Sequence, residues 1–115
     1  MHELGIMYRV LDIALDVANK NNGREITGID LEIGVMSGIV PRYAQKFFVQ
    51  IAKGTIAENA QLHFKDIPAN FVCRDCRNAM IITRSGTEFF CDRCGSPNLS
   101  LDSGMGFRMA SVAIV

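Results

Sequence analysis

The chain has 115 residues, of which 49 % are hydrophobic and 21 % are charged, so it can form a compact core and is too apolar for pervasive disorder. Twelve Lys and Arg residues balance twelve Asp and Glu residues, which leaves a formal net charge of zero. Proteins that bind a phosphate backbone or an anionic membrane surface by charge carry a basic excess. We therefore expect neither nucleic acid nor membrane as a partner.

The first residues of the chain indicate neither a secretory signal nor a membrane span. Acidic Glu3, Asp12 and Asp16 interrupt the early apolar stretch, and no window approaches the ~18 apolar residues of a spanning helix. The sequence therefore predicts a cytoplasmic protein. In a reducing compartment, cysteines serve as metal ligands more often than as disulfide partners.

The apolar pattern predicts alternating helices and strands in the first part of the chain. Residues 3–21 have the wide apolar stripe of an amphipathic helix, which an Asn-Asn-Gly turn ends. Residues 29–35 alternate apolar and polar side chains, as a half-buried strand does. A second helix is predicted from Pro41 to Gly54, and a second strand over 60–67.

The remainder of the chain contains two kinds of sequence. Residues 107–115 are rich in small and β-branched side chains, which predict a largely buried last strand. The stretch before them carries all four cysteines and short strand-like pieces at 70–72, 80–83 and 88–90. Residues 84–87 are predicted to form the tip of a hairpin.

Together these elements predict an α+β fold with an inserted metal module. A small three-stranded sheet packs with two helices, and this α+β domain is formed by residues 1–67 with 107–115. A four-cysteine zinc-ribbon module occupies residues 68–106. A segment of roughly forty residues buries too little apolar surface to fold alone, so we expect the metal to stabilise it.

The cysteines form two C-x-x-C pairs, Cys73 with Cys76 and Cys91 with Cys94. Two intervening residues let both thiolates of a pair turn toward one point, and two such pairs close a tetrahedral site that suits zinc. Four thiolates leave zinc no position for water, so the predicted site is structural. Iron in a rubredoxin-like redox site uses the same ligands and stays an alternative.

The chain start, Met1-His2-Glu3, offers a second kind of metal site. The Met1 amine, the His2 amide nitrogen and the His2 imidazole can close two fused chelate rings, and planar nitrogen donors suit Ni(II) or Cu(II). Glu3 adds a carboxylate that partly balances the cation. On spacing alone, the alternative is that His2 and Glu3 are solvated residues before a helix.

No catalytic arrangement can be assembled from two histidines and four metal-binding cysteines, so we expect no enzyme activity. The sequence also fits an alternative function, that of a binding adaptor. The cysteine module has a basic character, which a zinc-ribbon adaptor for nucleic acid or protein would also have. The arginines that give it this character are Arg74, Arg77, Arg84 and Arg93.

Several short motifs occur together in this chain: Met1-His2-Glu3-Leu4, Ile33-Gly34, Ser37-Gly38 and Gly54-Thr55. With the two cysteine pairs, these motifs resemble the HypA/HybF family of hydrogenase-maturation nickel metallochaperones, over essentially the whole chain. The resemblance implies nickel binding at His2 and Glu3. It also implies a structural zinc site at Cys73, Cys76, Cys91 and Cys94.

The family resemblance further implies a function and its partners. The chain would deliver Ni(II), as transferred cargo, for maturation of a [NiFe]-hydrogenase and in some organisms of urease. Its implied partners are the accessory GTPase HypB and the hydrogenase large subunit. We expect a monomer or a weak homodimer.

Overall fold

The structure is a computed structural model that describes residues 3–83 and 88–115. Within these residues the chain forms helices and strands in a mixed order. They are α1 (Glu3–Lys20), β1 (Ile26–Gly34), α2 (Pro41–Ile51), β2 (Gln61–Ile67), β3 (Ala69–Cys73), β4 (Ala79–Ile82), β5 (Leu99–Ser103) and β6 (Phe107–Ile114). The strands form two three-stranded sheets, ordered β2-β1-β6 and β4-β3-β5. The predicted α+β fold is confirmed. Neither described helix has the length and apolarity needed to cross a membrane.

One compact unit comprises Met1–Glu32, Ile39–Lys65 and Arg108–Val115. In it, α1 packs against α2. Large side chains such as Met7, Ile29 and Phe48 are almost completely buried, and burial of each contributes about 1.5–3 kcal/mol. The other buried apolar residues of this unit in α1, β1 and α2 are Val10, Leu11, Ala14, Ala18, Ile26, Leu31 and Ala44.

Strand β1 lies between β2 and β6 in the first sheet. The Thr27 hydroxyl donates to the Ala113 carbonyl at 3.3 Å, while the Arg108 Nε donates to Glu32 Oε1 at 3.0 Å, so β1 and β6 run antiparallel. The prediction that the last strand is largely buried is wrong. Half-buried residues alternate with exposed ones such as Ala110, so only one face of β6 is covered, and no residue of this edge strand is fully buried.

The second compact unit comprises Ile33–Gly38 and Asp66–Phe107. Its central strand β3 pairs antiparallel with both neighbours, so that Phe71 lies opposite Met80 of β4 and Leu101 of β5. The Phe71 ring also packs against Phe89, with ring centroids 5.8 Å apart. The buried core of this unit is small, and two cysteines belong to it: Ala69, Phe71, Cys73, Met80 and Cys91.

Two details of this unit differ from the sequence prediction. Residues 88–90 form no strand, although Phe89 still supplies its ring to the core from irregular backbone. The strand Leu99–Ser103 was not predicted, because only two apolar side chains alternate there with Ser and Asp. The predicted hairpin tip at 84–87 lies outside the described residues.

Two chain segments of the second unit meet at glycines. The Gly34 N–H donates to the Gly106 carbonyl at 2.8 Å, and the Met36 N–H donates to the Gly104 carbonyl at 2.9 Å. A Cβ on Gly34 would overlap the carbonyl oxygen of Gly104. Gly104 itself has a φ of +102°, and a Cβ there would lie 2.5 Å from the Cα of Ala69. Only glycine allows this close approach.

Candidate metal centre

The structure brings the four predicted cysteines of the second unit together. Their Sγ atoms lie within 4.8 Å of one another, with 3.6 Å between Cys73 and Cys94 and 3.5 Å between Cys76 and Cys91. None of the four forms a disulfide. A tetrahedral zinc ion with Zn–S bonds of about 2.3 Å separates its sulfurs by about 3.8 Å. The cluster therefore has the dimensions and the donor set of a four-thiolate zinc site.

The first cysteine pair lies on a tight turn that connects β3 to β4. The Cys73 N–H donates to the Asn78 carbonyl at 2.8 Å, and the Arg77 N–H donates to the Cys73 carbonyl at 2.8 Å. Arg77 has a φ of 65°, in the left-handed region. This turn aims both sulfurs of the pair at one point, with Cys73 buried and Cys76 half-buried.

The second pair repeats the same turn. The Cys91 N–H donates to the Ser96 carbonyl at 2.8 Å, and the Gly95 N–H donates to the Cys91 carbonyl at 2.9 Å. Gly95 has a φ of 76° and occupies the position that Arg77 has in the first turn. A left-handed conformation costs a residue with a Cβ roughly 1–2 kcal/mol, so the two turns differ in backbone strain.

Replacement of Arg77 by glycine is expected to stabilise the protein by about 0.5–1 kcal/mol, because relief of the left-handed strain exceeds the entropy that glycine adds to the unfolded chain. Arg74→Gly is the matched control, since Arg74 lies in the same turn without a positive φ, and it should destabilise by a similar amount. Denaturant unfolding of the zinc-loaded variants measures both. A loss of stability in Arg77→Gly as large as in Arg74→Gly would contradict the strain argument.

Backbone N–H groups point at the Cys91 sulfur. The N–H groups of Cys94 and Arg93 each lie 3.4 Å from Cys91 Sγ, and the side-chain amide of Asn78 lies at 3.6 Å. The Cys94 N–H is the largest contributor to a pKa of Cys91 that is lowered to about 6. Such donors favour the thiolate, which is the form that binds a metal.

Polar side chains connect the two cysteine turns. The Ser96 hydroxyl donates to Asp75 Oδ2, and the Asn98 amide lies 3.4 Å from Asp75 Oδ1. In the other direction, the Asn78 amide donates to Asp92 Oδ1 at 2.6 Å. These contacts were not predicted from the sequence. The sequence pattern that could have indicated them is an Asp inside each C-x-x-C pair, with an Asn or a Ser two residues after the second cysteine of the pair.

Of the predicted nickel ligands, Met1 and His2 lie outside the described residues. Glu3 begins α1 and is 6 % exposed, and its Oε2 accepts the Val40 N–H at 3.1 Å. Val40 is the N-cap residue of α2 and provides no side-chain cap of its own. Glu3 thus satisfies the N–H of the residue that begins the neighbouring helix, as the Glu side chain of a capping box does. This contact was not predicted, because it joins residues far apart in sequence.

His63, the other histidine, is exposed on β2. It belongs to no metal-ligand group among residues 3–83 and 88–115. The sequence interpretation of His63 as a solvated side chain agrees with this position.

Comparison with known proteins gives a consistent result along the whole chain. A family model described as "Hydrogenase/urease nickel incorporation, metallochaperone, hypA" matches residues 1–114. Among curated relatives, the hydrogenase maturation factor HypA of Aeromonas salmonicida is 31 % identical over 114 residues, which cover 99 % of each chain. The HypA proteins of Picosynechococcus sp. and Legionella pneumophila are 31 % and 33 % identical over 115 residues, covering 100 % and 99 % of both chains.

Solved structures agree with the fold. The solution structure of the Ni metallochaperone HypA from Helicobacter pylori superposes with a TM-score of 0.66 at 20 % identity, covering 100 % of this chain and 98 % of that one. A second solution structure, of a HypA protein, gives a TM-score of 0.69 at 21 % identity, with 100 % and 97 % coverage. At these identities the likeness supports the fold alone.

Proposed function

This chain belongs to the HypA family, and we propose from this that it is a nickel metallochaperone that delivers Ni(II) for maturation of [NiFe]-hydrogenase, with urease as a further target. The observation that carries the proposal is the match of the nickel-incorporation family over residues 1–114. Maturation factors assist other proteins, and we propose that this chain, which has no convincing catalytic arrangement, is not an enzyme. Its proposed location is the cytoplasm.

The four cysteines and the nickel cargo require separate sites. Four thiolates at tetrahedral spacing saturate zinc and leave no open position, so zinc at Cys73, Cys76, Cys91 and Cys94 would stabilise the second unit rather than exchange. A transferable cation needs fewer and more accessible ligands. We therefore assign nickel to the chain start.

The proposed nickel ligands are Met1, His2 and Glu3. The Met1 amine and the His2 amide and imidazole nitrogens form fused chelate rings that suit Ni(II). A cation at a helix N-terminus meets the positive end of the macrodipole, at a cost of ~0.3–1 kcal/mol. A deprotonated amide and the Glu3 carboxylate, which lies at this end of α1, offset that cost.

The proposed partners are the accessory GTPase HypB and the hydrogenase large subunit. Both follow from the function, because a carrier needs a protein that supplies or processes its cargo and one that receives it.

A nickel titration at neutral pH tests the ligand assignment. His2→Ala removes the imidazole, and two extra residues before Met1 convert its amine into an ordinary amide nitrogen. Both changes are expected to abolish or strongly weaken Ni(II) binding. Zinc content should stay at one ion per chain and the fold should be unchanged, because the cysteine site shares no ligand with the chain start.

The control for this titration is His63→Ala, which should bind nickel like the wild type. Full nickel binding by His2→Ala would remove the chain start from the proposal. Loss after His2→Ala but not after extension would keep His2 as a ligand and exclude the Met1 amine.

A further inference from the structure

The charge of the chain is unevenly distributed along its sequence. No Asp or Glu occurs between Glu32 and Glu58, whereas three cations do, Arg42, Lys46 and Lys53. The whole chain has a formal net charge of zero, so this positive segment is balanced by acidic residues elsewhere. Helix α2 occupies the middle of the segment and carries no acid of its own.

The three cations lie along one exposed stripe of α2 and the turn that follows it. Arg42, Lys46 and Lys53 are all exposed, and their spacing of four and seven residues keeps them on one side of a helix. Tyr43 and Val49, 45 % and 49 % exposed, lie on the same stripe. We name these five residues the basic face of α2.

The cations of the basic face have no acidic partner among residues 3–83 and 88–115, where the ion pairs are Lys20–Asp16 and Arg108–Glu32. Arg42 instead lies 4.9 Å from the centroid of the Tyr43 ring and donates to its hydroxyl at 3.3 Å. The face thus combines unpaired positive charge with an exposed aromatic ring and an exposed aliphatic side chain.

The basic face begins next to Glu3, one of the proposed nickel ligands. Glu3 Oε2 accepts the Val40 N–H at 3.1 Å, and Arg42 follows Val40 by two residues. From there α2 extends for eleven residues, or about 16 Å. A protein seated on the basic face would have its own metal ligands within reach of the chain start.

We propose that the basic face of α2 is the docking surface for an acidic face of the protein that exchanges nickel with this chain. The inference rests on the proposed function. Charge complementarity identifies the occupant, because three exposed cations without an acidic partner among the described residues attract a surface of opposite charge. Opposite charges accelerate encounter and fix orientation, while Tyr43 and Val49 supply the apolar contact.

A lipid surface fits this face less well than a protein does. Segments that bind anionic lipid by charge carry about four to eight clustered cations, and the basic face has three. Duplex DNA also requires a larger basic excess than a chain of zero net charge provides. Both ligands enter the test as opposing outcomes.

The test compares charge reversal on and off the basic face in the full, zinc-loaded chain. The variant is Arg42→Glu/Lys46→Glu/Lys53→Glu. The matched control, Lys20→Glu/Arg24→Glu/Lys65→Glu, changes the net charge equally at exposed residues outside the face. The probes are the purified accessory GTPase and the purified hydrogenase large subunit of the same organism, with anionic vesicles and duplex DNA in parallel.

We expect the face variant to bind its protein partner about tenfold more weakly than wild type at low salt, and the control to stay within about twofold. Added salt should weaken wild-type binding and narrow this difference. Tyr43→Ser should weaken binding at high salt as well, because its contact is apolar. Circular dichroism and zinc analysis confirm that each variant is folded.

If the face variant and the control bind both proteins equally well, the docking surface is overturned. The same holds if the wild type binds neither protein. Tighter wild-type binding to vesicles or to DNA than to both proteins would assign the face to those ligands instead. Nickel titration of the same samples distinguishes failure of the docking surface from failure of the proposed function. If the wild type binds no nickel, the proposed function is refuted. If it binds nickel and the face variant docks as tightly as the wild type, only the docking role of the basic face is refuted.

Discussion

Cys73→Ala and Cys91→Ala are each expected to lose zinc and to unfold the second unit. Structural zinc binding is typically worth ~10–16 kcal/mol, and a site with three thiolates loses much of that free energy. Both side chains are also buried, at 0 % and 3 % exposure, in a core to which the described residues contribute three other buried side chains. Without the metal, too little apolar surface remains to hold β3, β4 and β5 together.

The first unit should respond much less to these substitutions. Its core of large side chains from α1, β1 and α2 contains none of the cysteines. Amide hydrogen exchange resolves the two outcomes, with protection lost in β3–β5 and retained in α1. Metal analysis of the wild type determines whether the bound ion is zinc or iron. Ser100→Ala, a substitution in the same unit, is the control and should retain both the metal and the protection. Retained metal and retained protection in either cysteine variant would disprove the structural assignment.

Gly104→Ala is expected to destabilise the second unit by about 3 kcal/mol or more. Two effects act together, since φ at Gly104 is +102° and a Cβ would lie 2.5 Å from the Cα of Ala69. Gly34→Ala should have an effect of similar size, because its Cβ would overlap the Gly104 carbonyl oxygen. In both cases the nearest obstructing atom belongs to the backbone, which cannot move aside as the end of a flexible side chain can.

Two other glycines separate these effects. Gly38 has a φ of +79° with open space around it, so Gly38→Ala isolates the conformational cost of about 1–2 kcal/mol. Gly5 lies in α1 with nothing within 4 Å, and Gly5→Ala should stabilise by up to about 1 kcal/mol. Denaturant unfolding gives all four values. If Gly104→Ala costs no more than Gly38→Ala, the backbone contact is not tight.

The elements that were predicted correctly are determined by residues that lie close together in the sequence. Helix α1 follows from an apolar stripe at helical spacing, and α2 from Pro41 at its start and an apolar stripe of the same kind. The cysteine cluster follows from two C-x-x-C pairs, since two intervening residues determine how the sulfurs of one pair are turned.

The features that were missed depend on contacts between distant residues. The Glu3 carboxylate caps the N-terminus of α2 through Val40, and nothing near Glu3 in sequence indicates that acceptor role. The short strand β5 exists because β3 offers it a free edge. The exposure of β6 likewise depends on its position at the edge of a sheet, which periodicity does not specify.

Strand β6 follows all four cysteines in the chain, and this order matters during biosynthesis. β6 is one of the three strands of the first sheet, and Val115 after it exchanges backbone hydrogen bonds with Glu25, with the Val115 N–H donating at 2.9 Å. A ribosome makes all four cysteines before it makes this strand, so the nascent chain holds a complete set of zinc ligands while one edge of β1 is still unpaired. The second unit, which holds the cysteines, is therefore the first of the two whose residues have all been made, and the first sheet lacks a strand until β6 follows.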